Sequence, residues 1–252
     1  MSSPPGTASG RKGHVVLDLV SRQWKAVKIE KLLGLDATTG LIRMLEVGTG
    51  SGGIANYFGS HASGRFEVDA VDITDTRLLK HDFRFSLVSD TELPFPNDTF
   101  DVVISNHVIE HVGDLAQQHL HMCELSRVLK PNGRGYLAVP NRWMLVEPHY
   151  NLAFLSWLPR SMRDGYLKFW RGVDTYDCEP LELGELEACF TMCGLSFRNR
   201  GTEALRHTLE IERASSRFWT AVATVPDRCI EPFRRLMPTL IYTFERGNTR
   251  EP

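Results

Sequence analysis

Four glycines within six residues, Gly48, Gly50, Gly52 and Gly53, follow directly on the apolar run Ile42–Val47. Such a juncture reads as a buried strand, a tight turn and a helix start, which points to an α/β arrangement. Glycine takes positive φ and lets a ligand lie against the main chain where a Cβ would collide. The turn is therefore expected to hold something flat and large.

Two classes of ligand compete for it. Read as Gly48-x-Gly50-x-x-Gly53, the turn satisfies the dinucleotide fingerprint, with Asp72 about twenty residues on, where a ribose-binding carboxylate belongs. Glu46, however, precedes the first glycine, where a dinucleotide would bring its pyrophosphate. A carboxylate there favours a cationic nucleoside without phosphate over a doubly phosphorylated one. A nicotinamide-dependent oxidoreductase remains the rival reading.

The 252 residues suffice for one large domain with a buried core. A tail over residues 1–13, rich in Ser, Pro and Gly, is expected to be disordered, leaving 14–252 as the domain. A net charge of -2 gives no footprint for nucleic acid, and the apolar runs are too short for stable membrane insertion. Five cysteines, Cys123, Cys178, Cys189, Cys193 and Cys229, form an odd set without Cys-x-x-Cys, and no apolar leader follows Met1. A reducing, cytoplasmic setting is expected.

Along the chain, helical spacing predicts a helix over 14–33, in which Trp24 packs on the sheet or covers the ligand. Strands are predicted at 66–72, ending on Asp72, and at 83–90, ending on Asp90. The run 100–106 is apolar enough for a central strand, and 114–130 is a helix before a strand at 134–139. Residues 143–180 concentrate aromatics: Trp143, Tyr150, Phe154, Trp157, Tyr166, Phe169, Trp170 and Tyr176. They read as a cap over an apolar or aromatic acceptor, or as cover for a helical subdomain or a homodimer face. A helix over 181–193, a strand over 195–200, a second helical insertion over 203–238 and a strand over 240–244 complete the chain.

Glu46-x-Gly-x-Gly-x-Gly52, Val71-Asp72, Asp90 with Leu93-Pro-Phe-Pro, the segment Phe100–His111 and Leu129-Lys-Pro-Asn-Gly133 together resemble the class I S-adenosylmethionine (SAM) dependent methyltransferase family. The resemblance covers residues 41–140. It implies a Rossmann-like, doubly wound, mostly parallel seven-stranded sheet with a cap insertion, and SAM as cofactor, leaving S-adenosylhomocysteine as product. It implies that Glu46, Gly48, Thr49, Gly50 and Gly52 hold the methionine portion, Asp72 the ribose, Asp90 and Thr91 the adenine edge, and Asn106 or His107 the sulfonium side, with Ile73 also among the cofactor-binding residues. Asp90 stands three residues before Leu93 where many members have four.

The expected activity is methyl transfer to an O, N or C atom of a small acceptor, because the Asp/Asn-Pro-Pro-Tyr/Phe signature of planar-nitrogen methylation is absent after the fourth strand. A non-catalytic SAM-binding protein is the third reading. His107 is the first candidate for a base and His149 the second, since neutral imidazole is available near pH 7. His107-Val-Ile-Glu110-His111 also spells a zinc peptidase motif, but it follows a buried strand instead of lying within a helix. The same residues resemble the Glu-x-x-Glu-His segment of some quinone O-methyltransferases, with His107 in place of the first Glu. No metal is assigned.

Overall fold

The computed structural model describes residues 18–212 and 225–247. The expected tail lies outside them, as do Ala214, Phe218 and Val222 of the expected second insertion. Seven strands form one sheet: β1 (Ile42–Val47), β2 (Phe66–Asp72), β3 (Arg84–Leu87), β4 (Phe100–Asn106), β5 (Leu129–Pro140), β6 (Leu195–Asn199) and β7 (Thr239–Arg246). Their spatial order is β3-β2-β1-β4-β5-β7-β6. The first five run parallel, whereas β7 is antiparallel to both β5 and β6.

The sheet is covered on both faces, so alternate residues of its central strands feed two cores. Leu45, Val103, Leu137 and Val139 join Met122, Leu125 and Val128 of α3 (Leu115–Val128) and Leu186 and Phe190 of α5 (Leu183–Met192). Met44, Val102, Ile104 and Ala138 join Ala26, Ile29 and Leu33 of α1 (Leu19–Leu33) and Ile54 and Phe58 of α2 (Gly53–Gly59). The helix bounds follow from their caps: Asp18 accepts from Val20 N at 3.0 Å, Gly34 closes α1 at φ 62°, and Asp114 accepts from Ala116 N at 3.1 Å.

Three expectations change. The third strand is only Arg84–Leu87, because β2 ends at Asp72: Val88 N donates the last bond, to Asp72 O at 3.0 Å, and residues 89–90 have no strand to pair with. The aromatic insertion is not purely helical. It opens with a small hairpin, Val146–Glu147 against Leu152–Ala153, before α4 (Arg160–Arg171), and Leu152, Leu155, Leu167, Tyr176 and Cys178 form its own core. Tyr150 and Tyr166 pack against that core, whereas Phe169 and Trp170 face outward at 80% and 56% exposure. Finally, Cys123 of α3 and Cys193 after α5 form a disulfide, which withdraws the cysteine argument for a reducing setting. Among the described residues no helix is long and apolar enough to cross a membrane.

Candidate functional site

Strands β2, β1 and β4 are neighbours; β2 ends on Asp72 and β4 on Asn106, and Glu46 is the last residue but one of β1, so all three polar groups lie at the same edge of the sheet. That edge, beyond the carboxyl ends of parallel strands, is where ligands of open α/β sheets bind.

Glu46 is buried at 2% exposure. Its Oε2 accepts from Thr49 Oγ1 at 2.7 Å and from Ala55 N at 2.9 Å. The second bond explains the burial: α2 starts on Gly52, which has no side chain to cap it, and the carboxyl at the end of β1 satisfies an orphan N–H of its first turn. Burial pushes this carboxyl up to about 8, against the pull of Thr49, Arg22 and Ala55. Arg22 of α1 is the cation beside it, and burial lowers the Arg22 guanidinium while Glu46 raises it.

The glycine turn hangs on the end of β2. Gly48 N donates to Val71 O at 2.8 Å, and Gly50 N to Asp72 Oδ2 at 2.8 Å. The other Asp72 oxygen accepts from Ile73 N, also at 2.8 Å, and Ile73 itself is half exposed beside it. Gly48, Gly50 and Gly52 all have positive φ, at 73°, 53° and 79°. Two of these glycines have a further reason. A Cβ on Gly48 would run into Val108, and one on Gly52 into the Leu79 carbonyl. The close approach read from the sequence as room for a ligand is, at those two positions, an approach by the protein itself.

Asp90 lies in the exposed turn after β3 and accepts from Glu92 N at 2.8 Å, with Thr91 half-buried between them. Together with Leu87, Val88, Leu93 and Pro94 it lines a cleft of about 300 Å³. Asn106 is 6% exposed at the end of β4, and its Nδ2 has no hydrogen-bond partner among the described residues. A buried, orphaned amide donor costs on the order of 1–3 kcal/mol, so its position calls for an acceptor that arrives from outside.

His107 follows Asn106 in the left-handed region, φ 59°, held there by its N–H to Ala138 O at 2.8 Å. Its Nδ1 stands 3.3 Å from Glu110 Oε1, and the side chain keeps 24% exposure. Burial lowers the imidazole below its ordinary value, and Glu110 only partly reverses this. For Glu110, burial raises the carboxyl, but His107 and His111 outweigh it and leave it low. The motif His107–His111 includes a single 3-10 turn, Ile109–His111, so the helical scaffold of a zinc peptidase is absent.

His149 comes to the same place from the cap. Its Nδ1 is 2.6 Å from Glu147 Oε1, and its ring meets that of His111 edge-on with centroids 5.2 Å apart. Burial pulls His149 down, while Glu147, Glu110 and Asp177 more than reverse this and raise it. His107 is thus the imidazole held neutral and His149 the one inclined to carry charge. Trp24, at 37% exposure, lies on the outer side of α1. Arg22, Glu110, Glu147 and Cys178 were given no role by sequence reasoning. Arg22 and Cys178 carry no local signal, because only the folded chain brings α1 and residue 178 to this edge.

Residues 45–137 match the model of a methyltransferase domain. A ubiquinone biosynthesis O-methyltransferase of Rickettsia typhi is 29% identical over 150 residues, covering 54% of this chain and 57% of that protein. The chain spans little more than half the length of such curated relatives. Among solved structures, the [4+2]-cyclase SpnF superposes with a TM-score of 0.54 at 16% identity, covering 89% of this chain and 80% of the other. A Haemonchus contortus phosphoethanolamine N-methyltransferase, solved with S-adenosylhomocysteine, gives 0.51 at 17% identity, with 89% and 52% covered. These likenesses establish the fold. A cyclase among them shows that the fold alone does not fix the chemistry.

Proposed function

We propose that the chain belongs to the class I SAM-dependent methyltransferase family, as its match to a methyltransferase domain and its curated relatives support, and that it binds SAM along the ends of β2, β1 and β4 and transfers its methyl group to a small acceptor. The observation that carries the proposal is the orphaned Nδ2 of Asn106, buried on the strand next to Glu46 and two strands from Asp72. The residues fit the cofactor. Glu46 and Arg22 offer an anion and a cation for the amino and carboxylate groups of the methionine portion. Asp72 accepts ribose hydroxyls, Ile73 offers an apolar face beside it, and Asp90 lines the cleft for the adenine, with Thr91 next to it in the same turn. Gly48, Thr49, Gly50 and Gly52 form the turn against which the methionine portion lies.

When bound, SAM supplies a methyl group already activated by its sulfonium, for in-line displacement. What remains for the chain is alignment, exclusion of water and removal of one proton. We assign that proton to His107. The Glu110 carboxylate stands 3.3 Å from Nδ1, which favours the hydrogen on that nitrogen and leaves Nε2 as the basic one. A base of this kind serves a hydroxyl acceptor, and the name of the Rickettsia typhi relative points the same way. The acceptor class is therefore a small phenol or similar apolar hydroxyl compound, with the aromatic segment 143–180 covering it.

Calorimetric titration tests the reading. SAM is expected to bind in the range of about 1 μM to 1 mM, and Asp72→Ala to weaken it at least about tenfold. Binding of NAD without binding of SAM would return the site to the oxidoreductase reading. A screen of phenolic acceptors with methyl-labelled SAM then asks for turnover. SAM binding with none, in wild type and His107→Ala alike, would leave a non-catalytic binding protein.

A further inference from the structure

His111, His149 and Cys178 each come from a different segment, and their Nδ1, Nδ1 and Sγ atoms all lie within 4.8 Å of one another. Cys178 Sγ stands 3.6 Å from His111 Nδ1 and 3.7 Å from His149 Nδ1. A tetrahedral zinc ion, with Zn–S about 2.3 Å and Zn–N about 2.0 Å, separates its sulfur and nitrogen ligands by about 3.5 Å. The two Cys178–His edges lie close to that figure, a spacing that thiol–imidazole hydrogen bonds also have, so the trio needs little movement to take an ion.

The surroundings suit a cation. Glu110 and Glu147 are buried, with 1% exposure each, and Asp177 precedes Cys178. Both Glu110 carboxylate oxygens lack a hydrogen bond of good geometry, although His107 is close. A divalent ion neutralises such neighbouring acids and stabilises a thiolate ligand.

We propose that His111, His149 and Cys178 form a zinc-class metal site that ties the cap to the loop carrying His107 and Glu110. Loading releases to solvent the Cys178 thiol proton and the proton that His149 Nδ1 shares with Glu147, so that both imidazoles bind as neutral rings. The His149 hydrogen bond to Glu147 gives way to the ion, and Glu147 then faces the fourth position. The soft ligand set favours zinc over magnesium or calcium. Since the ligands are argued without reference to SAM or an acceptor, the site stands or falls separately from the proposed activity. A second trio, His119, Cys123 and Cys193, has similar spacing, but its two sulfurs are joined in the disulfide.

The test uses the full chain with the disulfide intact, stripped by a chelator and titrated with zinc against a chromophoric competitor. One ion per chain is expected, with affinity at least about a hundredfold weaker in each of Cys178→Ser, His111→Ala and His149→Ala. Circular dichroism verifies that the variants are folded. Cobalt(II) substitution gives a second readout: a thiolate-to-cobalt charge-transfer band in the wild type that is missing in Cys178→Ser. The proposal is overturned by absence of saturable binding to folded wild type, by a cobalt spectrum without the thiolate band, by affinity unchanged in Cys178→Ser, or by binding that appears only after reduction and is lost in Cys123→Ser.

Discussion

Glu46→Gln is the substitution whose outcome the structure defines most sharply. The ordinary carboxyl value is 4.5, and burial raises it to about 8 in the folded chain. A raised folded-state value means that folded protein keeps a proton which unfolded protein gives up. Its stabilising effect is complete below 4.5 and is lost as pH rises through about 8. At pH 7 the unfolded carboxyl lies about 2.5 units above its own value, so holding Glu46 protonated costs the fold about 3 kcal/mol. Glutamine avoids that cost and keeps an oxygen for Thr49 and Ala55, but its amide carries one more donor than the protonated carboxyl, and leaving that N–H unsatisfied costs about 1 kcal/mol. The net gain is about 2 kcal/mol at pH 7, or roughly 4–8 °C in melting temperature. At pH 5 the gain disappears.

Differential scanning calorimetry of both proteins from pH 5 to 8 measures this directly. The wild-type midpoint should fall relative to the variant as pH rises. An offset between the two that stays constant across this range would refute the assignment of a buried, protonated Glu46. The same carboxyl must ionise to meet an ammonium group. SAM binding to wild type near pH 7 is then expected to release a proton, seen as a binding enthalpy that depends on the buffer, and Glu46→Gln should bind more weakly without that dependence.

Other outcomes follow from the same edge of the sheet. His107→Ala should lower turnover by about 10²–10⁴-fold with SAM affinity unchanged, and because burial lowers this imidazole, the acid limb of the wild-type profile should fall below 6.5; a limb above 6.5 would point to His149. Arg22→Ala should weaken SAM and S-adenosylhomocysteine alike but leave methylthioadenosine, which lacks the carboxylate, unaffected in the same titration. Gly48→Ala combines a left-handed backbone with a collision at Val108 and should cost about 3 kcal/mol in urea denaturation. Adding Val108→Ala should recover only the packing part of that loss.

The half of the fold that binds the cofactor was legible because it is local. The strand, glycine turn and helix around Gly48–Gly53 are contiguous in sequence, and Asp72 and Asn106 end strands whose apolar runs announce themselves. Less was legible where contacts span the chain. Nothing near Glu46 in sequence shows that it caps α2, or that Arg22 comes to it from a helix lying before β1. The aromatics of 143–180 read alike in sequence, yet Tyr150 and Tyr176 pack inside the cap while Phe169 and Trp170 face outward. Their partners decide the difference, not their composition. The odd cysteine count misled for the same reason, since Cys123 and Cys193 meet only because α3 and α5 share one face of the sheet.

The placement of the long connections has its own consequence. Everything between β1 and β5 is joined by short segments, whereas residues 141–194 and 200–238 both hang from the far half of the sheet. On the proposed function, donor chemistry and choice of acceptor therefore occupy separate stretches of chain. Evolution, or an engineer, can rewrite the second stretch wholesale and leave the first untouched.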